Sequence, residues 1–177
     1  MSSTAYEQAQ PVRQGVLVCY SHRDRDLLGE LQVHLKPLQK AWLLDLWDDI
    51  RVAGATRDLR KALAGARVAV LLVSPGFLSS AFITEHGLPQ LLAAQAHPRT
   101  AVLCLYARPA MDAFAEFEFA DPETGAPRRV RITNFYGLND PMKPLAALDR
   151  RARAEVLANA ADEIIRAAYR APVSSEL

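Results

Sequence analysis

The chain lacks the cysteine and histidine patterns that mark metal-binding proteins. It contains two cysteines and four histidines in 177 residues, and they do not recur at the spacing of metal ligands. Cys19 and Cys104 each lie inside an apolar run, which is typical of buried free thiols. We therefore expect no metal cofactor, and a protein that works in a reducing, intracellular compartment.

Long apolar segments and an excess of one charge are missing as well. No stretch reaches the roughly 18 apolar residues that a membrane-spanning helix needs, and residues 1–14 lack the apolar core of a signal peptide. The formal net charge is +1, which leaves no dominant basic surface to neutralise phosphates. The sequence thus predicts a cytoplasmic protein with no membrane contact and no direct nucleic-acid partner.

The length and the local composition predict one domain with short polar ends. A chain of 177 residues is long enough to bury a substantial core. Residues 1–14 are polar and without hydrophobic periodicity, so we expect a flexible leader. Residues 15–170 are predicted to form the domain. Residues 171–177 have the composition of a tail or of a linker to a further domain, such as a fused sensor.

Four apolar runs predict the strands of a parallel sheet. The third run is continuous and does not alternate with polar residues, which is typical of a strand covered on both faces, whereas Asp45 interrupts the second run. The predicted strands are residues 16–20, 43–46, 68–73 and 100–105. The apolar run that contains the second of them starts one residue earlier, at Trp42. Segments of helical spacing separate them. This alternation predicts right-handed crossovers and an α/β fold with a doubly wound, flavodoxin-like central parallel sheet flanked by helices.

The segment that follows the third run is the strongest functional lead. Ser74, Ser79 and Glu85 fall in the loop and the first helical turns beyond the carboxyl end of this strand. Open α/β sheets bind their ligands at that edge. A carboxylate among hydroxyl groups therefore suggests a catalytic role for Glu85. The alternative is an ordinary solvated glutamate that the helix dipole favours near a helix start.

Four stretches, taken in order, resemble the bacterial-type Toll/interleukin-1 receptor (TIR) domain. Residues 18–24 resemble its first box, a strand that ends in an aromatic-Ser pair with an Asp just beyond. Residues 47–54 resemble its second box and the start of its BB loop, with Ala53 at the usual Pro position. Residues 72–82 resemble the Ser-Pro segment that leads into the helix with the catalytic Glu. Residues 135–165 resemble the tail of bacterial members.

The register of the catalytic glutamate differs from the usual pattern of this family. Many bacterial members place the acid at the position of Gly87, and others place it at the position of His86. Glu85 is the only carboxylate in this turn of the sequence. Two interpretations stay open: Glu85 is the catalytic acid in a shifted register, or the domain has lost its acid.

The resemblance implies cleavage of the bond between nicotinamide and ribose, with NAD+ as substrate and no further cofactor. It implies Glu85 as the catalytic residue, aromatic contacts to the rings and arginine contacts to the pyrophosphate. For Trp47, core packing is an equally good explanation. The implied substrate-binding residues are Tyr20, Ser21, Arg23, Trp47, Asp49, Arg51, Ser74 and Phe82.

A single carboxylate is chemically sufficient for this reaction. Glycoside cleavage passes through an oxocarbenium-like transition state, and ordinary glycosidases need a second carboxyl group to protonate the leaving oxygen. Nicotinamide leaves from a cationic pyridinium as a neutral molecule, so it needs no proton. One carboxylate that holds the ribose hydroxyls and stabilises the developing positive charge is enough.

The resemblance also implies self-assembly with other TIR domains and activation by it, since a constantly active enzyme would drain the cell of NAD+. The lever is the loop of residues 48–55. Ala53 does not fix φ as the usual Pro would, so we expect a mobile loop that a neighbouring subunit orders. A bulky residue in place of Gly54 is expected to reduce activity without unfolding the domain.

Other functional classes fit less well, but two alternatives to the enzyme stay open. No predicted strand is followed by the glycine pattern of Rossmann redox proteins, and Ser21 and Ser74 lack the context of a serine hydrolase nucleophile. The first alternative is a TIR domain that only binds other TIR domains. The second is a response-regulator-like domain, for which Asp24, Asp48 and Asp49 offer part of an acidic cluster but no Lys follows Tyr106.

Overall fold

The computed structural model describes residues 15–48, 56–80, 89–91, 100–121 and 123–170. The predicted leader and tail lie outside these ranges. Within them, no helix is long and apolar enough to cross a membrane. The strands are β1 (Gly15–Tyr20), β2 (Leu44–Asp48), β3 (Ala66–Val73), β4 (Ala101–Tyr106), β5 (Phe117–Ala120), β6 (Pro127–Val130) and β7 (Tyr136–Gly137).

Five of the described strands form one sheet, in the order β2-β1-β3-β4-β7. Every pairing in this sheet is parallel. The four predicted strands are confirmed, to within two residues at either end. The fifth strand, β7, is two residues long and pairs with Leu103 and Cys104 of β4.

Helices pack on both faces of this sheet, as the continuous apolar strands require. The described helices are α1 (Arg25–His34), α2 (Lys36–Lys40), α3 (Thr56–Gly65), α4 (Pro75–Leu78) and α5 (Arg150–Tyr169). The first two helices are separated near Pro37, since α1 ends at His34 and α2 begins at Lys36. Asp149 caps the last helix: its Oδ1 accepts a hydrogen bond from the Ala152 N–H at 2.8 Å.

Alternate side chains of each strand enter two separate hydrophobic clusters, one on each face. On β3, Val68, Val70 and Leu72 join the cluster that α1 and α5 cover. Leu71 and its face neighbours join the cluster that contains residues of α3 and α4. With apolar side chains buried on both sides, the fold is the flavodoxin-like, doubly wound α/β fold that the sequence predicted.

Both cysteines lie in the core, as predicted from the apolar runs. Cys19 and Cys104 are fully buried and are free thiols. Burial raises the pKa of each thiol to about 12, and the Asp45 carboxylate adds to the effect at Cys19. The protonated thiol is not a nucleophile, so neither side chain is suited to redox or covalent chemistry at neutral pH.

Two predictions of local structure are wrong. Residues 130–133, Val-Arg-Ile-Thr, suggest an edge strand from their sequence. Only Val130 belongs to a strand, the end of β6, while Ile132 is buried and starts a 3-10 turn, Ile132–Asn134. Instead, β5 and β6 pair antiparallel in a separate hairpin.

The second wrong prediction concerns the apolar run that starts at Trp42, because the strand begins later, at Leu44. Trp42 does not belong to β2, because it has a φ of 58° and closes the turn after α2. Its N–H donates to the Gln39 carbonyl at 3.1 Å, and the Leu43 N–H donates to the Leu38 carbonyl at 2.9 Å. These two bonds are those of a Schellman cap, in which a left-handed residue ends the helix.

Candidate functional site

The topology places the predicted site at the switch point of the sheet. From β1 the chain crosses to β2 at one edge and then returns to β3 on the other side of β1. A doubly wound sheet binds ligands in the crevice where this reversal occurs, beyond the carboxyl ends of the strands. Ser21 follows β1 directly, and Ser74 follows β3 directly. The structure therefore brings these two predicted residues to the same edge.

On the β1 side, Ser21 organises the turn that carries Arg23. Its side chain caps the 3-10 turn His22–Asp24, and Ser21 Oγ accepts a hydrogen bond from the Arg23 N–H at 3.3 Å. Ser21 is fully buried, and the preceding Tyr20 is also buried, with only a small part of its surface exposed. Arg23 is exposed. The turn thus presents a cation at the surface and keeps its hydroxyl inside.

On the β3 side, Ser74 performs the same task for α4. Ser74 Oγ accepts a hydrogen bond from the Phe77 N–H at 3.1 Å. Pro75 stands at the first helical position, where its missing N–H costs no hydrogen bond and its fixed φ suits the helix. Ser74 is buried, and Phe77 fills the core beneath it. Sequence and geometry agree here, since Ser-Pro is a strong signal for a helix start.

The two turns touch each other at Gly76. A Cβ atom on Gly76 would lie 3.0 Å from Ser21 Oγ and 3.4 Å from Arg23 Cδ. Real Cβ atoms rarely come this close to a neighbour, so a larger residue at this position would require the Ser21 or Arg23 side chain to shift. Ser21, Arg23 and Ser74 are thereby held at one place.

Replacing Gly76 with alanine is expected to disturb this contact. The added methyl group has to push Ser21 or Arg23 aside, so we expect a loss of about 1 kcal/mol in unfolding free energy, measured by urea denaturation. Gly29 is the matched control: it lies in α1 and a Cβ there would meet nothing within 4 Å. Gly29→Ala should instead stabilise the protein by about 1 kcal/mol. Equal effects of the two substitutions would contradict the close approach.

A buried carboxylate joins the two turns to the end of β4. Asp24 is 1% exposed, and the Ser74 hydroxyl donates a hydrogen bond to Asp24 Oδ2. Arg108, two residues after β4, donates from Nε to Asp24 Oδ1 at 2.7 Å. Its Nη2 donates to both carboxylate oxygens of Asp26 at 2.9 Å. We call Asp24, Asp26, Ser74 and Arg108 the Asp24 network.

The charges of the Asp24 network stabilise one another. The hydrogen bond to Asp24 raises the pKa of Arg108, although desolvation opposes it. Partial burial acts to raise the pKa of Asp26, but hydrogen bonds from Arg108 and from the backbone outweigh it and lower that pKa. A carboxyl group with a lowered pKa stabilises the fold above its unfolded pKa and loses that contribution as the pH falls. The pair is therefore fully effective at neutral pH.

Asp24, Asp26 and Arg108 were not among the predicted site residues. Asp24 stands in the first box of the sequence, and Arg108 directly follows the fourth apolar run, so each has a local signal. Their contact has none, since 84 residues separate them. No group of three or more His, Cys, Asp or Glu side chains suited to a metal ion occurs in the described ranges.

The remaining predicted residues stay predictions. Trp47 lies on β2, but its side chain is outside the described part of the structure. The others that lie outside the described residues are Asp49, Arg51, Phe82 and Glu85, together with the loop positions Ala53 and Gly54.

Comparison with known proteins gives no family for the chain: no protein-family model matches it, and no curated protein matches it either.

Proposed function

We propose that the chain is a TIR-type enzyme that cleaves the bond between nicotinamide and ribose in NAD+, either by hydrolysis or by cyclisation. The observation that supports this most is the meeting of Ser21, Arg23 and Ser74 at the switch point of a flavodoxin-like sheet. Such switch points bind ligands. From Ser74 the chain runs on to Glu85 eleven residues later. The switch-point edge of the sheet therefore leads into the segment with the proposed catalytic carboxylate.

The proposed mechanism assigns one chemical task to each group. The Glu85 carboxylate holds the ribose hydroxyls and stabilises the positive charge that develops on the sugar as nicotinamide leaves. Arg23, exposed beside the switch point, meets the pyrophosphate with its guanidinium group. Asp24 lies next to Arg23 in the chain, but Arg108 compensates its charge. Arg108 thereby offsets the charge of the carboxylate that lies next to Arg23 in the chain.

The experiment that tests this function is incubation of concentrated protein with NAD+ and chromatography of the products. Hydrolysis yields nicotinamide and ADP-ribose, because water attacks the sugar carbon. Cyclisation yields nicotinamide and a cyclic ADP-ribose, because an adenine nitrogen attacks the same carbon. Heat-unfolded protein is the control for spontaneous breakdown. NAD+ that stays intact at every protein concentration, with and without a crowding agent, would refute the enzymatic function.

We further propose that assembly with other copies, or with a fused or separate sensor domain, switches the enzyme on. Packing against a neighbour orders the loop of residues 48–55, so binding energy creates the catalytic geometry. Specific activity should rise with protein concentration as the assembled fraction grows. The control is the sedimentation profile at each concentration. Constant specific activity across a range in which the oligomeric state changes would rule out this activation.

A second candidate function is a TIR domain that binds other TIR domains without turnover, and Trp42 is the observation that favours it. Trp42 is 94% exposed and adopts a left-handed backbone conformation, which non-glycine residues rarely do. Because the ring is so exposed, packing against the described residues does little to offset this strain. Exposed tryptophans are enriched at the centres of protein interfaces. A partner surface is a physical reason for a large aromatic ring at this position.

Replacing Trp42 with glycine should therefore have two opposite effects. The Schellman cap favours glycine at this position, so the free energy of unfolding should rise by about 1 kcal/mol. Self-association should weaken, because the exposed ring is lost. Trp42→Ala is the matched control: it removes the ring but keeps the backbone strain, so it should weaken association without stabilising the fold. Unchanged association in both variants, measured by sedimentation, would exclude Trp42 from the interface.

A further inference from the structure

We propose that Arg108 is a positioning residue of the NAD+ site, and that it acts through Asp24 on the hydroxyl group of Ser74. This inference rests on the proposed function. The network joins the carboxyl ends of three neighbouring strands, since Asp24 follows β1, Ser74 follows β3 and Arg108 follows β4. Its outermost member, Arg108, therefore controls the geometry at the switch point without belonging to the predicted substrate contacts.

Two hydrogen bonds fix the orientation of the Ser74 hydroxyl. Ser74 Oγ accepts the Phe77 N–H and donates its own hydrogen to Asp24. A hydroxyl group has one hydrogen and two lone pairs. With the hydrogen directed at Asp24 and one lone pair directed at Phe77, the side chain has a single orientation. Asp24 is thus the group that decides how Ser74 is held.

The Asp24 carboxylate in turn depends on Arg108 for its charge partner. A carboxylate that is almost completely buried is stable only with a cation and hydrogen bonds around it. Arg108 supplies both through Nε, and it uses Nη2 for Asp26 at the surface. The planar guanidinium group fixes these two directions at once, which a lysine ammonium group cannot do. The position of Asp24 therefore follows the position of Arg108.

Hydrogen bonds to its neighbours hold the backbone that carries Arg108. The Ala107 N–H donates to the Val73 carbonyl at 2.8 Å, so the chain that carries Arg108 is bonded to the residue before Ser74. One residue earlier, Tyr106 is fixed by the side chain of Asn139. Asn139 Oδ1 accepts the Tyr106 N–H at 2.7 Å, and Asn139 Nδ2 donates to the Tyr106 carbonyl at 3.0 Å. Arg108 therefore projects from a braced backbone.

Together these contacts hold Ser74 in place, and Ser74 is the start of the segment that leads to Glu85. Ser74 begins α4, and Gly76 in the same turn lies against Ser21. A shift of about 1 Å in a catalytic arrangement costs on the order of 100-fold in rate. Loss of the Arg108 geometry should therefore lower kcat more than it raises KM, because every predicted substrate contact except that of Ser74 remains.

The test compares Arg108→Lys with Arg153→Lys in the full chain. Arg153 is the matched control: its Nε donates to Glu30 at 2.9 Å and joins α5 to α1, away from the switch point. The exposed fractions of the two arginine side chains are similar, 36% for Arg108 and 24% for Arg153. With NAD+ as the probe, we expect kcat to fall about tenfold or more in Arg108→Lys, with KM nearly unchanged. Arg153→Lys should keep the kcat of the parent protein.

Amide hydrogen exchange at Phe77 provides a readout that does not depend on turnover. The Phe77 N–H is bonded to Ser74 Oγ, so its exchange should become faster when Ser74 loses its fixed orientation. We expect faster exchange in Arg108→Lys and no change in Arg153→Lys. Should Arg108→Lys fail to fold, Asp26→Asn loosens only the outer arm of the Arg108 fork. It should produce the same changes with smaller size.

The outcomes separate this inference from the proposed function. An inactive parent protein would overturn the proposed function. The rate of amide exchange at Phe77 would still test whether Arg108 fixes the orientation of Ser74. Unchanged Phe77 exchange in Arg108→Lys would overturn the inference whether or not the parent is active. In an active parent, an unchanged kcat, or an equal fall of kcat in Arg108→Lys and Arg153→Lys, would also overturn it.

Discussion

Replacing Glu85 with glutamine is expected to lower the rate of NAD+ cleavage by a factor of about 100 to 1,000. Glutamine keeps the size of the side chain and its ability to hydrogen-bond the ribose, but it has no negative charge. The positive charge on the sugar therefore loses its stabilising partner in the transition state. The measurement is the initial rate of nicotinamide release at saturating NAD+, on protein whose circular dichroism matches that of the parent.

Glu155→Gln is the control for this substitution, because Glu155 is an exposed residue of α5 whose carboxylate pairs with Arg151 at the surface. Its rate should equal that of the parent. Full activity in a folded Glu85→Gln protein would place the chemistry elsewhere. If the parent is inactive, His86→Glu and Gly87→Glu test the second open interpretation, since they put an acid where bacterial TIR domains have it. Activity gained in either variant would mean that the domain had lost its acid.

Replacing Arg108 with alanine should produce the largest loss of stability among the charged residues discussed here. The buried Asp24 carboxylate loses its cation, and breaking a buried pair from one side is strongly destabilising. The space left by the arginine admits some water, so we expect a loss of about 2–3 kcal/mol in the free energy of unfolding. For a domain of this length that corresponds to a fall of about 4–12 °C in Tm.

A second substitution tests the cause of this loss. Asp24→Asn keeps an acceptor for Ser74 but removes the charge, so Arg108→Ala combined with Asp24→Asn should be more stable than the sum of the single effects predicts. Arg166→Ala is the control, because Arg166 forms an exposed pair with Asp162 on α5 and should cost less than about 1 kcal/mol. Simple additivity of Arg108→Ala and Asp24→Asn would show that the buried charge is not the cause.

The sheet could be predicted from the sequence because its strands are buried on both faces. Residues 68–73 form an unbroken apolar run for this reason, and the predicted strand lies inside β3. The strand β7 could not be found in the same way. It is two residues long and exposed, and it is held by its pairing with Leu103 and Cys104, so its own residues carry no hydrophobic pattern.

The candidate site could be predicted only in part, for a similar reason. Ser21 and Ser74 directly follow apolar runs, so topology alone places them at one edge of the sheet. The bond between Asp24 and Arg108 depends on β4 lying beside β3 and β3 beside β1, which is a property of the folded sheet. Trp42 shows the opposite limit: its apolar side chain suggested a strand, but the geometry of the helix cap decides its conformation.

The packing of α5 also determines when the domain can finish folding during synthesis. Leu157, Ala160 and Ile164 of α5 cover the same hydrophobic cluster as Val70 and its face neighbours on β3. A ribosome that adds 5–20 residues per second needs about 5–20 s for the roughly 100 residues between β3 and the end of α5. Throughout that interval one face of the central strand lacks its last helix. Until residue 169 has emerged, that face of the sheet therefore exposes apolar side chains that the finished domain buries.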